Sequence, residues 1–154
     1  MTLAVGDKAL ALTLPVSGGG EFSLAKLKGK PAVLYFYPKD DTSGCTREAH
    51  DFRDALPRFK KAGAEVIGIS KDSVASHDKF KAKHDLPFPL LADTEGKACE
   101  AFGTWVEKSL YGRKYMGIER ATFVIDGKGV VRHVWRKVKV PGHVDEVLAA
   151  VQAL

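Results

Sequence analysis

Ala32-Val33-Leu34-Tyr35-Phe36-Tyr37 is an apolar and aromatic run stopped by Pro38, and Lys39-Asp40-Asp41-Thr42-Ser43-Gly44-Cys45 follows it. A run this short, rich in branched and aromatic residues, reads as a strand buried on both faces and central in its sheet. The polar segment after it leaves the C-terminal end of that strand and enters a helix. That helix begins near Thr42 or Ser43, whose hydroxyls can cap it, and continues through Phe52 and Leu56 to Phe59 before Ala62-Gly63 ends it. Pro57 lies inside the span; lacking an amide and crowding the preceding turn, it either kinks the helix or splits it in two.

Working outward, Glu65-Val66-Ile67-Gly68-Ile69-Ser70 is a second apolar run, and Phe88-Pro89-Leu90-Leu91-Ala92 a third. Between them, 73–84 has helical character, with Ser73 or Asp72 at its start and Phe80 facing in. Strand, helix, strand, helix, strand calls for parallel pairing with right-handed crossovers. A short helix is expected near Glu95 to Phe102. The pattern then changes: Ala121-Thr122-Phe123-Val124-Ile125, the turn Asp126-Gly127-Lys128-Gly129, and 130–135 make a β-hairpin. An amphipathic helix, His143 to Ala153, closes the chain by burying Val144, Val147, Leu148 and Val151. At the other end, 11–15 and 21–24 flank Ser17-Gly18-Gly19-Gly20, which suggests a small extra hairpin. The expected class is α/β: a thioredoxin-like architecture, with a mixed central sheet flanked by helices and an N-terminal β-hairpin extension.

The bulk properties bound the rest. The 154 residues fit one domain, 1–154, large enough to bury a core without disulfides or metal. With 45% hydrophobic and 28% charged residues, the chain has a globular composition. No stretch approaches the roughly 20 apolar residues that span a bilayer, and the N-terminus carries an acid and no basic leader, so the expected location is cytoplasmic, away from membrane. The net charge of +5 comes from bases interleaved with acids. Arg58-Phe59-Lys60-Lys61 and Lys79-Phe80-Lys81-Ala82-Lys83 sit on helices whose outer faces they solvate, so nucleic acid is not an expected partner. The two cysteines, 45 and 99, have no C-x-x-C or Cys/His spacing, which argues against structural zinc and a disulfide scaffold. His77, His84, His133 and His143 share no ligand spacing with one another or with an acid, and neither metal nor cofactor is expected.

Cys45 falls in the first turn of the helix, beside unsatisfied amides and the positive end of the helix dipole, both of which stabilise a thiolate. It also lies at the sheet edge where open α/β folds bind ligands. A thiolate nucleophile needs donors that position its target and take up charge on the leaving atom. Thr42, three residues earlier, can place a hydroxyl there. Arg120, at the start of the strand 120–125, is the candidate cation, the alternative being a salt bridge with Glu119 or another acid. Pro38 narrows the mouth and shields the sulfur. Glu48, one turn after Cys45, either orients Arg120 or solvates the helix.

The run FYPKDDTSGCTREAHDFRD (36–54) matches the peroxiredoxin motif P-x-x-x-T-x-x-C, and WVEKSLYGRKYMGIERATFVID (105–126) resembles the bacterioferritin-comigratory, or Q-type, peroxiredoxins. The resemblance runs from Gly6-Asp7 to the C-terminal helix. It implies a thioredoxin fold, reduction of hydrogen peroxide and organic hydroperoxides, and a cysteine that cycles through sulfenic acid. By resemblance the attacking thiol is Cys45, the activating hydroxyl Thr42, the shielding ring Pro38 and the activating guanidinium Arg120. The peroxide then meets Thr42, Gly44, Cys45 and Arg120. Q-type members are often monomers, which makes a monomer the expectation.

Two positions depart from the family pattern. Ser43 stands where proline usually precedes the glycine, which loosens the loop or improves the cap. His50 stands where many Q-type members carry a resolving cysteine, and 73–84, where others carry it, has none. His50 lies about 140° around an ideal helix from Cys45, too far to act as its base, and reads as a surface histidine. Only Cys99 remains as an internal resolving partner. It shares a helix face with Phe102, the setting of a buried inert cysteine, and pairing with Cys45 needs Cα atoms within roughly 7 Å, hence local unfolding. The expected cycle therefore uses one cysteine, with thioredoxin, glutaredoxin or a small thiol reducing the sulfenic acid. The alternatives are a two-cysteine cycle through Cys99, a disulfide oxidoreductase, which Gly44-Cys45-Thr46 disfavours for want of a neighbouring thiol, and a non-catalytic chaperone or binding role. Trp105, Tyr111 and Tyr115 are expected to pack under a loop or line a contact surface.

Overall fold

The computed structural model describes residues 3–9 and 12–154. Its core is a five-stranded sheet. β3 (Ala32–Phe36) is central, pairing in parallel with β4 (Glu65–Ser70), which pairs in parallel with β5 (Leu90–Ala92). On its other side β3 pairs antiparallel with β8 (Ala121–Ile125), and β8 with β9 (Val131–Trp135), giving the order β5-β4-β3-β8-β9. The expected mixed sheet is present, and every residue of β3 and β8 is buried, as a strand covered on both faces requires.

The period of two along β3 divides the core. Val33, Tyr35 and Tyr37 point to one face, where they meet Phe52 and Phe59 of α1 (Ser43–Lys61), Phe80 of α2 (Val74–His84) and Val147 and Val151 of α4 (His143–Gln152). Leu34 and Phe36 point to the other, against Phe102 of α3 (Lys97–Phe102) and Leu14 of the N-terminal hairpin. Gly68 on β4 marks a close approach. A Cβ there would stand 2.9 Å from the Tyr35 hydroxyl and 2.7 Å from Leu90 Cδ2, so only glycine lets the Tyr35 ring lie flat on Phe52, centroids 4.5 Å apart.

Pro57 neither splits nor ends α1, which runs unbroken from Ser43 to Lys61. The stripe Ala49, Phe52, Leu56 and Phe59 stays buried along the whole helix, and packing on both sides of Pro57 outweighs one missing amide. α2 is capped by the Ser73 hydroxyl, which accepts from the Ser76 amide at 3.1 Å. α3 begins at Lys97, two residues later than expected, because Gly96 precedes it in the left-handed region. The N-terminal hairpin is β1 (Thr13–Pro15) with β2 (Glu21–Ser23), followed by a 3-10 turn, Leu24–Leu27; Ala11, expected to start its first strand, lies outside the described residues.

A second hairpin, not anticipated from the sequence, joins β6 (Trp105–Leu110) to β7 (Arg113–Ile118) outside the main sheet. Its two-residue turn is Tyr111-Gly112, both at positive φ (51° and 77°), the conformation of a tight primed turn. Tyr111 is 98% exposed and Tyr115 is exposed, so neither packs under a loop. Trp105 is half-buried, with Lys71 Nζ 4.0 Å above its ring. No described helix is long and apolar enough to cross a membrane.

Candidate active site

The loop between β3 and α1 is anchored by charge. Asp40, buried, accepts from the Tyr37 hydroxyl at 2.5 Å and the Ser76 hydroxyl at 2.9 Å, and faces His77 Nδ1 at 2.7 Å. Its own amide donates to Asp72 at 2.8 Å. His77 Nε2 lies 2.9 Å from the Leu91 carbonyl, which only accepts, so Nε2 carries its hydrogen. Contrary to the expectation from spacing, His77 does meet acids: one ligand atom each from Asp40, Asp72 and His77 lies within 4.8 Å of the others. Both Asp40 oxygens and Asp72 Oδ2 are already held, by the Tyr37, Ser76 and Ser70 hydroxyls and the Asp40 amide, which suits an anchor between the loop, α2 and β5.

Asp41 follows with φ 62°, its carboxylate held by Lys83 Nζ at 2.8 Å and His84 Nε2 at 3.2 Å. These partners lower its carboxyl pKa. His50 is half-buried rather than free at the surface: its Nε2 lies 2.9 Å from His84 Nδ1, and burial and then Arg53 lower its pKa. Position 50 is thus a link between α1 and α2.

Thr42 occupies the N-cap of α1 by backbone conformation, but its hydroxyl makes no capping bond; it donates instead to the Lys39 carbonyl at 2.9 Å. Ser43 is the first helical residue, one position past the cap. Pro38 is half-buried at the loop's start. Cys45, third in the helix, is 1% exposed.

Arg120, in the short link between β7 and β8, enters over this first turn. Its Nη2 donates to Cys45 Sγ at 3.3 Å and its Nη1 to Glu48 Oε1 at 2.7 Å. Gly44 permits the approach, since a Cβ there would lie 3.2 Å from Nη2. Arg120 is therefore paired with Glu48 and not with Glu119, which pairs with Arg136 at 3.3 Å. Glu48 does not solvate the helix: it is fully buried, and burial pushes its carboxyl up to about 7 against the pull of Arg120. Lys108 on β6, which the sequence reading did not single out, has its pKa lowered by burial and the Arg120 charge and raised by Cys45. The hairpin joins the site through the chain itself, since β7 ends at Ile118, two residues before Arg120.

Cys99 is elsewhere. It is fully buried in the cluster on the opposite sheet face, and burial followed by the Asp93 carboxylate pushes its thiol up to about 12. Both cysteines are free. His143, at the start of α4, lies 2.8 Å from the Thr122 hydroxyl; burial and then the Arg120 charge bring its pKa down to about 4.

Known proteins resemble this chain in sequence and fold. Residues 5–134 match the AhpC/TSA family model. Peroxiredoxin Bcp of Bacillus subtilis is 53% identical over 148 residues, covering 96% of this chain and 94% of that protein. A bacterioferritin comigratory protein of Xanthomonas campestris, studied for its alkyl peroxide reduction, superposes with a TM-score of 0.89 at 47% identity, covering 96% and 98% of the two chains. A cysteine-to-serine mutant of PrxQ from Xylella fastidiosa gives a TM-score of 0.95 at 41% identity, covering 99% and 98%. Sequence, fold and comparison agree, and the chain belongs to the AhpC/TSA family as a peroxiredoxin of the Bcp/peroxiredoxin Q subfamily, a thiol peroxidase that uses a peroxide and a thiol reductant.

Proposed function

We propose that Cys45 is the sulfur that attacks the peroxide, on hydrogen peroxide and organic hydroperoxides alike. The observation that carries this reading is the guanidinium of Arg120 donating to Cys45 Sγ at 3.3 Å at the entrance of α1. A fixed cation and the positive end of the helix dipole both face that sulfur, where the reaction moves charge. As the thiolate attacks, an S–O bond forms and the O–O bond breaks, leaving Cys45 sulfenic acid and an alcohol or water. Arg120 takes up the charge developing on the oxygens. Thr42, whose hydrogen is committed to the Lys39 carbonyl, keeps its oxygen lone pairs to accept from the peroxide O–H. Gly44 leaves room for substrate and guanidinium, and Pro38 shields the mouth.

The sulfenic acid is reduced by an external thiol in a one-cysteine cycle. Support comes from the placement of Cys99 on the far side of the sheet and from histidine at position 50. The reductant is thioredoxin, glutaredoxin or a small thiol, acting on a monomer of one domain, 1–154, in the cytoplasm. Two clusters packed on opposite faces of a single sheet support the single domain.

The test is stopped-flow oxidation of reduced protein, followed by mass analysis of wild type and Cys45→Ser. Wild type is expected to react orders of magnitude faster than a free thiol and to gain one oxygen at Cys45; a rate equal to that of a free thiol refutes the assignment.

A further inference from the structure

Glu48 is fully buried, and only one of its carboxylate oxygens is occupied. Oε1 accepts from Arg120 at 2.7 Å, whereas Oε2 has no partner among the described residues. An ionised carboxylate there would hold a bare charged oxygen away from water, which a carboxylic acid avoids. The second arm of the same guanidinium serves Cys45 Sγ. With Cys45 and Glu48 both ionised, two buried anions would share one cation; with one proton between them, the trio is neutral.

Titratable groups face this trio from its own helix and from other elements. On β3 the Tyr35 hydroxyl, also without a partner among the described residues, is raised well above its ordinary range by burial and then by Glu48, Cys45 and Asp40. On α1, Asp51 adds negative charge toward Glu48. On β6, Lys108 faces Arg120 and Cys45, and on α4, His143 faces Arg120. Near neutral pH His143 is uncharged, which leaves Lys108 as the added cation on the Cys45 side.

We propose that Glu48 is the proton store of the reaction, holding the proton that Cys45 gives up and returning it to the leaving oxygen of the peroxide. The inference rests on Cys45 being the attacking sulfur. In the first step the Cys45 thiol and the Glu48 carboxylate become thiolate and carboxylic acid. In the second, thiolate, R–O–O–H and Glu48 acid give Cys45–S–OH, R–OH and Glu48 carboxylate: sulfur loses two electrons, the peroxide gains them, and the proton ends on the R–O oxygen. No proton is drawn from solvent.

The test mixes reduced protein with one equivalent of hydrogen peroxide at pH 7, in weak buffer with an indicator dye. It reads thiolate ultraviolet absorbance beforehand, then protons taken up per sulfenic acid formed, with oxygen gain at Cys45 checked by mass. Wild type is expected to show the thiolate and to take up close to no proton. Glu48→Gln keeps an oxygen for Arg120 but stores no proton, and is expected to take up one proton per sulfenic acid. A wild type without thiolate, a wild type that takes up one proton, or a Glu48→Gln variant whose thiolate reacts without uptake overturns the proposal. If Glu48→Gln does not fold, the wild-type ratio decides alone. Failure of Cys45 to gain oxygen overturns the assignment of the attacking sulfur itself, an outcome distinct from altered proton uptake.

Discussion

Cys45 and Cys99 lie on opposite faces of one five-stranded sheet, Cys45 on α1 in the cluster shared with α4, and Cys99 on α3 in the cluster that holds Phe102. A disulfide requires Cα atoms within roughly 7 Å and facing side chains, which a sheet between the two sulfurs prevents. After peroxide, wild type should therefore contain no Cys45–Cys99 bond by non-reducing peptide mapping. Cys99→Ser should keep peroxidase turnover within about twofold of wild type, because the substitution touches no group of the site. An intramolecular bond in the oxidised protein would retire the one-cysteine cycle.

Arg120 donates through two different nitrogens to two different partners, Cys45 and Glu48, a fork that lysine cannot reproduce. Arg120→Lys should lower the rate constant for oxidation of Cys45 by on the order of 100-fold, the usual effect of losing an aligned donor to a developing charge. Circular dichroism should show the fold retained. Equal rates for Arg120→Lys and wild type would mean that a diffuse positive charge is enough.

Gly44 is the residue on which the guanidinium rests. A Cβ at that position would lie 3.2 Å from Nη2, and Arg120 would have to give by a few tenths of an ångström. Gly44→Ala suits an early helical position and so should leave the thermal midpoint nearly unchanged. It should still slow peroxide reduction by about tenfold, since misplacing a catalytic group by under 1 Å can cost that much. An unaltered rate would show that the guanidinium has room to move.

His143 carries a pH dependence whose sign follows from its environment. Burial lowers its pKa from 6.5 to about 4, so the unfolded chain binds this proton more readily than the folded one. Its contribution to stability is present above about 6.5 and is lost as pH falls toward 4, by on the order of 2 kcal/mol. His143→Gln should remove that part of the acid destabilisation, read as a smaller drop in the urea midpoint between pH 7 and pH 4. Parallel midpoint curves for the two proteins would count against it.

How much of this was legible beforehand depended on the range of the interactions. The buried run 32–37 and its proline announced a central strand, because burial on both faces removes the need for polar alternation. Cys45 could be placed in the first turn of a helix because helix starts are local. The β6–β7 hairpin was not seen: its strands carry polar residues on both faces and lie outside the main sheet, so no clean period of two marks them, and only the Tyr111-Gly112 turn gave a signal.

The sequence by itself determined the order of the main-sheet strands and of the helices, the candidate sulfur and the family, since each is written in spacings of a few residues. Only the tertiary structure decided which acid Arg120 would meet, how Asp40 and His77 would pin the loop, and that Cys99 would sit beyond the reach of Cys45. Those pairings join residues 37 and 72 positions apart, or separate two cysteines across a sheet. Contacts of that range are fixed by how the sheet stacks its helices, a property that no local window of residues contains.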